Sequence, residues 1–137
     1  MKFQYVKFQM FYKPVLPVIF KFGDKSFPYQ ALIDTGADMT IIHAEVAEQL
    51  GIDLEKGDEY PFGGICGTGR GYIHRVDLEI GGHIFIDVPI IFTRDINPYG
   101  FGILGHEGLF NKVKLTFELG KKQFEIIPKE YKTNKSN

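Results

Sequence analysis

The residues best placed for chemistry are Ala31-Leu32-Ile33-Asp34-Thr35-Gly36-Ala37. An apolar run leads into an acid, a small hydroxyl residue and a glycine. An acid leaving an apolar strand sits where its ionisation is open to tuning. Thr35 adds a short donor and acceptor beside it. Gly36 lets the backbone turn sharply and come close to another chain. Taken alone, the same residues also describe an Asp that opens an Asx-turn at a strand end. A second element, Gly102-Ile103-Leu104-Gly105, is an apolar pair hemmed by glycines, as a strand needs when it threads beside another backbone. The third is Phe62 to Tyr72, with glycines at 63, 64, 67, 69 and 71. So many glycines make a pliable hairpin tip that can fold over a ligand. Gly64 to Gly69 also has the glycine spacing of a phosphate loop. Arg70 and Gly71, however, stand where Lys and Ser or Thr are needed, and a strand-like alternation follows where a helix is needed.

These elements need a scaffold of strands. Val15 to Phe22 is apolar-rich, with Pro14 and Pro17 suited to an edge or bend. Gly23-Asp24-Lys25 turns the chain into Phe27 to Ile33, which predicts a hairpin. Tyr72 to Ile80 alternates, Gly81-Gly82 turns, and His83 to Phe92 returns as a largely apolar strand. Gly57 to Tyr60 and Arg94 to Phe101 read as loops. Val113 to Leu119 and Gln123 to Ile127 form a last hairpin. The helix candidate is Ala44 to Leu50, stopped by Gly51, with His43 leading into it. Residues 1–128 are expected to form one all-β domain with one or two short helices, and 129–137 a polar tail.

Composition narrows the function. Sixteen basic residues against 17 acidic give a net charge of −1, which calls for neither nucleic acid nor an anionic membrane. One cysteine, Cys66, precludes an internal disulfide, and the four histidines lack metal-pair spacing. With no apolar stretch of signal-peptide or membrane-spanning character, the expected location is the cytoplasm.

In this order the three elements resemble the retropepsins, the single-domain aspartic proteases of retroviruses and their cellular and bacterial relatives. The resemblance runs from about residue 15 to 128. It implies a small closed β-barrel-like domain with a flap hairpin. It also implies an aspartic endopeptidase without metal or cofactor, acting on peptide or protein as a homodimer. One Asp-Thr-Gly per chain makes half a site. Asp34, Thr35 and Gly36 would be catalytic. Ala37, Asp38, Gly63, Gly64, Ile65, Cys66 and Ile103 would contact substrate. The terminal segments, Lys2 to Phe8 and Phe124 to Ile127, are expected in the dimer interface. The alternative is the same fold used without catalysis, for dimerisation or peptide binding. Two departures stand out. His106 occupies the place where retroviral members carry Arg, so a pH-dependent Asp38–His106 pair is expected as the brace; the alternative is a His106 that caps the short helix that follows or points to solvent. The segment between Ala37 and the flap is also longer, and holds the helix.

Overall fold

The computed structural model describes residues 1–64 and 67–130. The chain opens with three short strands, β1 (Lys2–Gln4), β2 (Val6–Phe8) and β3 (Phe11–Lys13). β4 (Val15–Phe22) and β5 (Lys25–Ile33) form the expected hairpin around Gly23. Alternation decides which face each strand buries. Leu16, Val18 and Phe20 are buried, and Pro17 and Lys21 are not. The Ile33 amide donates to the Pro14 carbonyl at 2.9 Å, so the odd-numbered residues of β5 direct their backbone groups at β4. The missing N–H of Pro28 therefore falls on the other edge.

Next come β6 (Thr40–His43) and the helix α1 (Ala44–Gln49). His43 caps α1, its Nδ1 accepting from the Glu45 amide, and Gly51 follows with a left-handed φ of 72°. Ala44, Val46 and Ala47 are buried, which turns Glu45 and Glu48 outward. β7 (Asp58–Gly64) and β8 (Gly67–Ile80) make a long hairpin, in which Gly64 pairs with Gly67. Asp58 to Tyr60, expected as loop, is strand, because it pairs with Tyr72 and its neighbours on β8. β9 (His83–Thr93) returns along β8 with a bulge between Val76 and Leu78, where Asp87 takes a left-handed φ. β10 (Gly102–Leu104), β11 (Val113–Glu118) and β12 (Gln123–Pro128) complete the fold.

The sheet order is β4-β5-β10-β6-β9-β8-β7, and a further β4–β8 pairing closes six of these strands into a barrel. β7 stays outside the ring, paired with β8 alone. Phe20, Ile42, Leu78, Ile90, Phe92 and Leu104 fill the barrel. β1, β12 and β11 form a separate three-stranded sheet over it, in which Phe3 stacks on the buried Phe124. The alternation in Lys2 to Phe8 is split between two sheets. β1 joins β12, whereas β2 and β3 form a hairpin with Met10 82% and Phe11 69% exposed. Among the described residues no helix is long and apolar enough to cross a membrane. Most of the tail, from residue 131, lies outside the described residues.

Candidate active site

Asp34 lies where β5 leaves the barrel. β10 runs parallel to β5, with Leu104 beside Ile33, and the Asp34 amide donates to the Leu104 carbonyl at 3.1 Å. Two hydrogen bonds then shape the turn. Asp34 Oδ1 accepts from the Gly36 amide at 3.0 Å, and the Asp34 carbonyl accepts from the Ala37 amide at 3.1 Å. This is an Asx-turn, so the bland reading of the motif and the chemical one describe the same geometry. Asp34 is half-buried, and Thr35 and Gly36 are exposed. A single chain thus presents one carboxylate, with Thr35 and Gly36 bare beside it, on an open face.

The segment after β10 locks this turn from behind. The His106 amide donates to the Ala37 carbonyl at 3.0 Å, and the Glu107 amide to the Asp38 carbonyl at 2.9 Å. The Gly105 amide donates to Oγ1 of Thr40, a fully buried side chain, at 3.0 Å. Only glycine fits at 105. A Cβ there would lie 2.6 Å from the Met39 carbonyl carbon and oxygen and 2.8 Å from the Ala37 oxygen. Two distant stretches, 34–40 and 104–107, are thereby fastened into one unit.

His106 does not form the expected ion pair. No Asp38–His106 contact falls within ion-pair distance, and the His106 ring instead reaches the Thr35 carbonyl, 2.5 Å from Nε2. A carbonyl can only accept, so Nε2 carries the proton and donates. The ring also lies edge-on to Phe110. The physical reason is reach. His106 is already tied through its amide to Ala37, and from there the short imidazole meets the turn backbone while Asp38 points into solvent.

Of the expected substrate-contacting residues, Ala37 and Asp38 lie in the turn. Ile103 sits half-buried in β10, between Leu32 and Ile41. Gly63 and Gly64 lie on the projecting β7–β8 hairpin, and make no hydrogen bond to the Asp34 turn among the described residues. Ile65 and Cys66 fall outside the described residues. The root of this hairpin carries a network the sequence did not signal. Asp95 Oδ2 accepts from the Arg70 amide at 2.9 Å. Thr93 Oγ1 donates to the Arg70 carbonyl at 2.6 Å and accepts from the Asp95 amide at 3.0 Å. The Arg70 guanidinium meets Glu59 at 2.9 Å. Asp95 has no motif around it, and only the fold brings it to residue 70. Among the described residues no group of three or more His, Cys, Asp or Glu side chains could hold a metal ion.

A family model described as aspartyl protease matches residues 18–107, which span the barrel and both segments of the site. The chain belongs to the aspartyl protease family. Its fold is that of the EIAV protease, solved in complex with the inhibitor HBY-793. The TM-score is 0.51 at 21% identity, over 74% of this chain and 88% of the viral one. No curated protein matches the chain. The all-β barrel and the retropepsin-like fold expected from Asp34-Thr35-Gly36 and Ile103-Leu104-Gly105 are therefore both present.

Proposed function

We propose that two copies of this chain form an aspartic endopeptidase, with the two Asp34 carboxylates meeting at the subunit axis. The observation that carries the reading is the Asp34 turn itself: an intact Asp-Thr-Gly, with its acid oriented by Gly36, on an open face. The Thr35 hydroxyl has no hydrogen-bond partner among the described residues, which fits a partner supplied by the second copy.

Two carboxylates so close cannot both ionise comfortably, so the pair holds one proton between them. The ionised member takes a proton from a bound water as the water oxygen bonds to the scissile carbonyl carbon. The protonated member gives its proton to the carbonyl oxygen. The resulting gem-diol collapses as one of its hydroxyls returns a proton to the ionised acid, the C–N bond breaks, and the leaving nitrogen receives the proton held by the other acid, which leaves the dyad with one proton again. Thr35 holds the two turns in register across the axis. Gly36 and Ala37 offer backbone groups to the substrate, and Ile103 lines the cleft. The β7–β8 hairpin closes over the peptide and excludes water, and Gly63, Gly64, Ile65 and Cys66 are the residues assigned to contact it. Nothing in this sequence of steps requires a metal or an organic cofactor.

The test is cleavage of a mixed peptide library between pH 4 and 8, with sedimentation measured on the same samples. Activity per chain is expected to fall on dilution, as dimer gives way to monomer. Asp34→Asn, which fills the same space, is expected to abolish cleavage while leaving the fold intact. Full activity in a strictly monomeric protein would sink the half-site argument, and wild-type turnover in Asp34→Asn would sink the catalytic assignment. Binding of a peptide-like aspartic protease inhibitor without any cleavage would instead mark a peptide-binding module.

A further inference from the structure

Away from Asp34, a cavity of about 540 Å³ opens between β5, the start of α1 and the loop before β10. Its size suits a small organic group. Four aromatic rings line it, Phe27, Tyr29, Tyr99 and Phe101, and its one charged residue is Glu45. Local structure places three of the rings. Gly102 leaves room for the Tyr29 ring, since a Cβ there would sit 3.2 Å from Tyr29 Cε1, and the Tyr29 hydroxyl donates to the Gly100 carbonyl at 3.4 Å. The loop is tightened by Asn97, whose Oδ1 accepts from the Tyr99 amide and whose carbonyl accepts from Gly100. That turn presents the Tyr99 ring 93% exposed at the rim. Phe101 is buttressed edge-on by Phe8.

The two outward acids of α1 differ. Glu48 pairs with Arg94 at 3.0 Å, whereas the Glu45 carboxylate has no hydrogen-bond or ion-pair partner among the described residues. Its field reaches the pocket: together with burial, which acts more strongly, it pushes the Tyr29 hydroxyl up from the ordinary tyrosine value. Ring faces are electron-rich and attract cations, and an unpaired carboxylate beside them adds a charge of the right sign. The adjoining strand edge favours side-chain capture over strand addition. β10 covers β5 only from Ala31 to Ile33, and on the bare stretch Pro28 offers no N–H to an incoming strand.

From this charge complementarity we infer that the pocket is a binding site for an organic cation, the lysine or arginine side chain of a bound peptide. Tyr29 precedes Asp34 by five strand residues, roughly 17 Å at about 3.3 Å per residue, so the site is distinct from the reaction centre. Its occupancy does not depend on the chemistry at Asp34.

The test is a titration of the isotopically labelled protein with Nα-acetyl-lysine methylamide, followed by amide NMR shifts. Saturable shifts are expected at Tyr29, Glu45, Tyr99 and Gly100. The uncharged Nα-acetyl-norleucine methylamide should leave these residues unmoved. Glu45→Gln and Tyr99→Ala both change exposed side chains, and each should weaken binding by about threefold to tenfold. Equal binding of the norleucine probe, or no effect of Glu45→Gln, would overturn the inference. So would shifts produced by a triproline peptide and not by the lysine probe. Because binding alone is read, a negative result leaves the peptidase reading standing, and an inactive enzyme leaves this one standing.

Discussion

The Asp34 turn and the root of the β7–β8 hairpin are both held by residues distant in sequence, but by different kinds of group. Around Asp34 the fastening is mostly backbone to backbone, joined by the buried Thr40 hydroxyl and by one exposed side chain, the His106 ring. At the root of the β7–β8 hairpin it runs through side chains, one of them the buried Thr93 hydroxyl and the others facing water: Arg70 and Glu59 are 74% and 51% exposed, and Asp95 is exposed. Buried hydrogen bonds are costly to break because the orphaned group cannot turn to water, whereas exposed contacts are replaced by water at little cost. The contrast suits the proposed reaction. An acid that must meet its twin needs a fixed backbone, and a hairpin that must open for substrate needs a yielding hinge.

The contrast is most easily broken at Gly105. Gly105→Ala would drive a Cβ into two backbone carbonyls, at 2.6 and 2.8 Å, which cannot move without parting 34–40 from 104–107. A loss of about 3 kcal/mol or more is expected by denaturant unfolding, with loss of activity. A variant as stable as wild type would show that the two stretches are not fastened as described. Thr40→Val comes next. It keeps the shape and removes the acceptor of the buried Gly105 amide, an expected cost of about 1–3 kcal/mol. Thr40→Ser keeps the hydroxyl and should recover most of the hydrogen-bond part of that loss.

How much of this was legible in sequence depended on whether a local signal existed. Asp34-Thr35-Gly36 and Gly102 to Gly105 are readable as short motifs, and the pairing of β5 with β10 joins them; the need for glycine at 102 and 105 comes from distant neighbours, Ile42 and Tyr29 at the first and the Met39 and Ala37 backbone at the second. Alternation at Leu16, Val18 and Phe20, and at Val76, Leu78 and Ile80, gave the barrel strands, because burial on one face imposes a period of two. What failed was side-chain partnership. His106 was placed opposite Asp38 by analogy with an arginine, and a shorter ring reaches a different acceptor. Asp95 and Glu45 gave no signal, since a lone acid acquires meaning only from what the fold lays beside it. The exposed β2–β3 hairpin has no signal in the sequence, because Gln9 turns the chain in a left-handed conformation without a glycine to announce it.

His106 offers a smaller effect that sharpens the comparison, being a side chain working within the backbone-held region. His106→Ala removes one hydrogen bond from an exposed ring to the Thr35 carbonyl, about 0.5–1.5 kcal/mol. Turnover is expected to fall severalfold while KM stays nearly level, because in the proposed reaction Thr35 aligns the acids and does not hold substrate. The contact requires an N–H and not a charge, so imidazolium and the neutral Nε2–H form both serve. His106→Gln should therefore restore turnover, with a pH–rate profile of unchanged shape. A profile that loses its alkaline limb only when His106 is present would show that charge matters after all.

The smallest effects are expected at the root of the β7–β8 hairpin, and there two neighbouring variants should differ from each other. Arg70→Ala removes an exposed ion pair with Glu59, which at such exposure is worth about 0–1 kcal/mol and is screened by salt. It leaves the Arg70 amide and carbonyl where they are, still bonded to Asp95 and Thr93. Asp95→Ala instead removes the acceptor of that amide and loosens the strand from the loop that follows Thr93, whose buried hydroxyl bridges the Arg70 carbonyl and the Asp95 amide. Neither change reaches Asp34. Melting temperatures should thus barely move in either variant. KM should rise a few-fold in Asp95→Ala, as the hairpin closes less firmly on peptide, and stay near wild type in Arg70→Ala. Asp95→Asn keeps an acceptor oxygen and should resemble wild type. If Arg70→Ala raised KM more than Asp95→Ala did, the hinge would depend on the guanidinium and not on the backbone bond to Asp95. The division between the two regions would then lie in charge instead of burial.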